Sequence, residues 1–180
     1  KKMNDAPVIM VENFKVPRNK RRLLSLAQSY RKNYVDSGHN EGSCNYVIEG
    51  DEFFVDLYEE VFNYASKLFQ FTLSPSNKKS VHCYYSDDKN YKSILHNHQY
   101  TSTINIVYYL NVPSGGGGEL LVMGCDKRVY LIPVKSYDLV IMPNFVEHCP
   151  LPPKSNEPRI SLNMEIKCEE PAQQIFKDYA

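Results

Sequence analysis

His96 and His98 stand one residue apart in ILHNHQY, just ahead of the β-type run TSTINIVYYLNV, and His148 follows about fifty residues later in MPNFVEHCPLP. In extended chain, residues i and i+2 point to the same side, so both imidazoles of the pair lean into one space. A close pair plus a distant third is how a sheet builds a metal site: one strand supplies two ligands and a facing strand the third. The chain holds five histidines. His39, in a glycine-containing loop, and His82, before Cys83, are read as hydrogen-bonded structural or surface residues, the commoner fate of a lone histidine.

Arg159 lies eleven residues beyond His148 and opens RISLNMEIKC. There Arg159, Ser161 and Asn163 alternate with Ile160, Leu162 and Met164, so one face of the strand is polar and the other apolar. An arginine on an interior face must meet an anion, because an unpaired buried charge is very costly. The run TSTINIVYYLNV has a matching face of Thr103, Asn105, Val107 and Tyr109. A phenol hydroxyl and a guanidinium that converge are suited to grip a carboxylate. Other motifs carry less. GGGG at 115–118 is followed by the strand-like ELLVM rather than GK[ST] and a helix, which makes it a flexible hairpin connection and not a phosphate loop. No G-x-S-x-G elbow is present. Cys149 adjoins His148, but neighbours on a strand face opposite ways, which argues against a Cys–His dyad.

These residues need elements to aim them. APVIMVENFKV reads as extended, residues 18–34 as a helix, and VDSGHNEGSCN as a loop. Residues 51–70 are the clearest helix: Phe54, Leu57, Tyr58, Val61, Phe62, Ala65 and Leu68 recur at three- to four-residue spacing, with acids early and Lys67 late, as the helix dipole favours. From residue 80 the texture changes. SVHCYYS, TSTINIVYYLNV, GELLVMG, RVYLIPV, DLVIMP and RISLNMEIKC are short β-type runs separated by turn signals. Helices followed by many short strands predict a mostly β fold, a sandwich or barrel of antiparallel strands with helices packed on one face. The tail EEPAQQIFKDYA is read as a short terminal helix.

At 180 residues the chain suits one domain: an extended segment and helices over 1–79, the β core over 80–168 and a tail over 169–180. Lys plus Arg, 21, equals Asp plus Glu, 21, so net charge gives no ground for nucleic acid or an anionic membrane. The basic cluster at 18–22 runs straight into LLSLAQSY, which makes it the solvated start of a helix. No apolar stretch approaches the length of a membrane span, and no signal-peptide pattern opens the chain, whose first residue is not Met. Five scattered cysteines without CxxC fit reduced thiols and a cytoplasmic protein.

The order HNH, YYLN, GGGGELLV, YDLVIMPNFVEHCPLPP, RISLN resembles the iron(II)- and 2-oxoglutarate-dependent dioxygenases, in a branch whose first motif reads His-x-His. The resemblance covers roughly residues 80–167. It implies a double-stranded β-helix (jelly roll, cupin-like) with the N-terminal helices on one sheet. It also implies Fe(II) as cofactor, 2-oxoglutarate and O2 as cosubstrates, and hydroxylation of a small molecule or protein side chain with release of succinate and CO2. His96 matches the first metal ligand and His148 the distal one. Arg159 looks like the arginine that pairs with the far carboxylate of 2-oxoglutarate, with Ser161 completing Arg-x-Ser and Tyr109 sharing that carboxylate. Asn105 falls on the same face. CYYSDDKNY resembles the strand that places a further tyrosine near the cosubstrate, Tyr85 being preferred over Tyr84. The departure is His98, which stands where most members have a carboxylate. Asp87, Asp88 and Glu119 are the other carboxylates in reach along the chain, none at the family's spacing. A cupin-like three-histidine dioxygenase without 2-oxoglutarate, and a non-catalytic jelly-roll module that binds metal or ligand, remain the alternative readings.

Overall fold

The β-type runs pair into two antiparallel sheets, and the helices cover the outside of one of them. The structure, a computed structural model, describes residues 10–39, 41–48 and 51–179. In chain order its elements are β1 (Met10–Asn13), α1 (Lys20–Asp36), β2 (Ser43–Ile48), α2 (Glu52–Leu68), β3 (Val81–Ser86), β4 (Ile104–Asn111), β5 (Leu120–Met123), β6 (Val129–Ile132), β7 (Asp138–Pro143), β8 (Glu147–Pro150), β9 (Arg159–Ile166) and α3 (Ala172–Ile175). The larger sheet runs β1-β7-β4-β9-β3-β2 and the smaller β6-β5-β8. An isolated bridge between His96 and His148 adds the segment before β4 to the free side of β8. This is the mostly β jelly roll with flanking helices that the sequence predicts.

Period-two alternation sorts the larger sheet into two faces. On β4, Ile104, Ile106, Tyr108 and Leu110 face outward into the helix-covered core; on β9, Ile160, Leu162, Met164 and Ile166 do the same. Phe54, Leu57, Tyr58, Val61 and Ala65 of α2 and Leu23 and Ala27 of α1 close that core. Each large side chain enclosed there contributes about 1.5–3 kcal/mol. The start of α2 is set by Asp51, whose carboxylate accepts the Phe53 N–H at 3.1 Å. Between the two sheets lies a smaller cluster in which Val107, Tyr109, Val140 and Met142 meet Leu120, Val122 and Val146.

Several boundaries differ from expectation. α1 runs over Lys20–Asp36 rather than 18–34, and Ser43–Ile48, partly within the expected loop, is β2, which pairs in register with β3. Of the extended N-terminal run, β1 occupies Met10–Asn13 and residues 6–9 lie outside the described residues. GGGG is not a hairpin: it carries the chain from β4 in the larger sheet to β5 in the smaller. Nor is it slack. Gly116, Gly117 and Gly118 all adopt positive φ, and a Cβ on Gly117 would fall 2.3 Å from the Pro152 carbonyl oxygen. Among the described residues, no helix is long and apolar enough to cross a membrane, and no disulfide joins any two of the cysteines.

Candidate metal centre and its anion pocket

The three histidines converge, by backbone devices more than by strand alternation. His96 and His148 exchange both backbone hydrogen bonds, N–H to O at 3.0 and 2.9 Å. His98 lies outside the strands, its N–H donating to the Asn144 carbonyl at 2.9 Å and its own carbonyl accepting from Thr101 and Ser102. The rings close on one another, with centroids 4.6 Å apart for His96–His148 and 5.2 Å for each of the other pairs. One ligand nitrogen of each lies within 4.8 Å of the other two.

Hydrogen bonds identify that nitrogen. His96 Nδ1 lies 2.9 Å from the Ile94 carbonyl oxygen, and His148 Nδ1 lies 2.9 Å from that of Val146. A carbonyl only accepts, so both Nδ1 atoms carry the proton. His98 Nδ1 lies 2.7 Å from Glu165 Oε1. The Nε2 lone pairs are therefore the ones left to a metal, and His98 Nε2 is buried with no partner. Burial, together with the neighbouring charges of His96, His98 and Arg159, outweighs the Val146 hydrogen bond and brings the His148 pKa down to about 4. His148 is neutral at pH 7, the form a metal ligand requires. The donor set and its fixed tautomers fit a divalent transition metal.

Beside the histidines lies a cavity lined by His96, His148, Tyr84, Arg159, Ser161 and Asn163. Arg159 is 3% exposed. Its Nε donates to the Gly118 carbonyl at 3.3 Å and its Nη1 to Ser161 Oγ at 3.1 Å. Its guanidinium stands 5.2 Å from the Tyr109 ring centre. Among the described residues, no carboxylate lies within ion-pair distance of it. Tyr109 is fully enclosed and its hydroxyl has no hydrogen-bond partner; burial pushes its pKa up against the opposing charge of Arg159. Asn105, four residues away on the same face, has both amide atoms buried and unpartnered. A buried polar atom left unmet costs about 1–3 kcal/mol.

The structure brings His96, His98 and His148 together, and separately gathers Arg159, Ser161 and Tyr109. It turns Tyr85 away. Register on β9 decides this: Tyr84 stands opposite Ser161 on the cavity face, whereas Tyr85 stands opposite Ile160 and packs in the helix-covered core. Tyr84, and not the preferred Tyr85, lines the cavity. None of the three alternative carboxylates joins the histidines. Asp87 holds Arg31 of α1 at 2.7 and 3.0 Å, Asp88 accepts the Asn90 N–H, and Glu119 lines a separate depression with Gly117. Sequence reasoning missed Glu165, although the polar alternation of Arg159, Ser161 and Asn163 continues straight to it.

No known sequence family and no curated protein sequence matches the chain. Solved structures do. A prolyl-4-hydroxylase from Pseudomonas putida superposes with a TM-score of 0.66 at 16% identity, covering 92% of this chain and 95% of that one. A prolyl hydroxylase from Trichoplax adhaerens, in complex with a peptide fragment of the hypoxia inducible factor oxygen degradation domain, gives 0.69 at 16%, covering 94% and 88%. The non-heme alpha-ketoglutarate-dependent carbocyclase SnoK from nogalamycin biosynthesis gives 0.61 at 11%, covering 92% and 83%. What the chain shares with these proteins along nearly its whole length is their fold.

Proposed function

We propose that the protein is an Fe(II)- and 2-oxoglutarate-dependent oxygenase that hydroxylates a small molecule or a protein side chain. The observation that carries this reading is Arg159, a deeply buried cation without an anion, placed in one cavity with two of three converging histidines. His96, His98 and His148 would hold Fe(II) through Nε2. Arg159 would take the far carboxylate of 2-oxoglutarate, assisted by Ser161 and the Tyr109 hydroxyl, which settles that hydroxyl's missing hydrogen bond. Asn105 offers a donor and an acceptor on the same face, and Tyr84 closes the cavity wall. When bound, iron and 2-oxoglutarate supply the O2-activating chemistry; the chain supplies position, charge balance and exclusion of water.

A three-histidine dioxygenase without 2-oxoglutarate would leave the Arg159 charge buried and unanswered, and so would a module that binds metal alone. The Trichoplax neighbour, in complex with a peptide fragment, makes a protein side chain one substrate class to screen. The test is anaerobic titration with Fe(II) and 2-oxoglutarate. A visible charge-transfer band that requires both, and that is lost in His96→Ala and His148→Ala, supports the reading. Stoichiometric Fe(II) binding in those variants, or no band in wild type, sinks it.

A further inference from the structure

We propose that Glu165 acts on the metal centre through His98, as a positioning residue that gives this one histidine the character of an anionic ligand. The proposal rests on the reading of the three histidines as metal ligands. The three are not equivalent behind the ring. His96 and His148 each lean on a neutral backbone carbonyl two residues earlier in their own segment. His98 leans on a carboxylate brought from β9, its Nδ1 2.7 Å from Glu165 Oε1. The same oxygen accepts the Thr101 hydroxyl at 3.1 Å, which fixes it between the two donors. The Thr101 backbone N–H donates to the His98 carbonyl at 3.1 Å, so ring, turn and carboxylate form one closed unit.

Three neutral imidazoles would leave the whole double charge of the metal to ligands from outside. A carboxylate accepting Nδ1–H fixes the tautomer, orients the ring and raises the basicity of Nε2. Glu165 therefore returns one negative charge to the ligand set, one residue removed from the metal. Its strand placement makes this rigid: Glu165 pairs in register with Asn105 on β4, so the carboxylate is set by the sheet that carries Arg159. His98 is thus tied to the larger sheet, whereas His96 and His148 belong to the smaller.

The probe is Co(II), bound to wild type, Glu165→Gln, His98→Asp and the double variant, with affinity and ligand-field bands read together. Glu165→Gln keeps the shape and one acceptor but removes the charge. It lowers Co(II) affinity about ten- to a hundredfold and shifts the bands. In the His98→Asp background the same change leaves affinity unchanged or raises it, because Glu165 then faces a second carboxylate. Glu165→Gln with wild-type affinity and spectrum overturns the proposal. So does an equal loss in both backgrounds, which would make Glu165 independent of His98. Should Glu165→Gln not fold, Thr101→Val gives a smaller loss of the same sign, and unchanged Co(II) binding there overturns the proposal. A wild type that binds no Co(II) removes the metal centre itself and is told apart by the missing parent signal; a His148→Ala variant that binds it as wild type does also removes it and is told apart by a signal indifferent to His148.

Discussion

Tyr108 and Tyr109 are neighbours on β4, equally buried, and they live in different worlds. Tyr108 points into the helix-covered core, where its hydroxyl donates to the Lys15 carbonyl at 2.8 Å. Tyr109 points between the sheets, and its hydroxyl has no hydrogen-bond partner there, with the charge of Arg159 beside it. The contrast holds for the whole sheet. The outer face is hydrocarbon with the Tyr108 hydroxyl satisfied; the inner face is as deeply buried but carries Asn105 and Tyr109 with polar atoms unpartnered, and Arg159, hydrogen-bonded but without an anion. Burial does not separate stability from function here. Satisfaction does: polar groups sealed from water and left unmet mark where a ligand belongs.

That contrast breaks most visibly with Phe54→Ala, which empties the outer core and costs about 3–5 kcal/mol in urea unfolding. A loss below 1 kcal/mol would mean the helices are not essential cover for the sheet. Next is Arg159→Ala. On the proposed function, it weakens 2-oxoglutarate binding by about 2–4 kcal/mol, about thirtyfold to a thousandfold, and leaves metal binding nearly intact; Arg159→Lys recovers only part, lacking the planar fork. Third is pH. The His148 pKa lies near 4 in the fold against 6.5 unperturbed, so the unfolded chain takes up the proton first. The metal-free protein has this contribution in full above pH 6.5 and loses it as pH falls towards 4, by about 3 kcal/mol at most. His148→Asn removes that part of the slope, and parallel profiles for variant and wild type would refute it. The smallest and sharpest test pairs the two tyrosines. Tyr108→Phe costs about 1 kcal/mol, whereas Tyr109→Phe in ligand-free protein is neutral or slightly stabilising. Equal costs would erase the distinction between the faces.

Much of the site is legible in the sequence because spacing carries it. Histidines at i and i+2, a distant third and an arginine at the head of an alternating strand need no long-range information to be recognised. The misses share one cause. Tyr84 and Tyr85 differ by a single step, and which of them faces inward depends on register against β9, which neither residue encodes. Residues 43–48 contain turn formers at their start and become β2 because β3 offers an open edge to pair with. GGGG signals backbone freedom but not its use, a crossing between sheets with Gly117 pressed on Pro152. Glu165 was within reach, one more step along the polar face of β9, but its target lies 67 residues earlier in the chain.

The backbone bridge between His96 and His148 has a consequence for how far the cluster tolerates substitution. Because these two positions exchange main-chain hydrogen bonds, their mutual distance is inherited with the sheet and is indifferent to the side chains they carry. His98 has no such tether to either; a turn and a carboxylate from the other sheet hold it. The side chain at position 98 can therefore be exchanged, with Glu165 changing in step, without moving the other two histidine positions. The cluster is built as a fixed pair with one separately held member, and a change of side chain at that member need not disturb the pair.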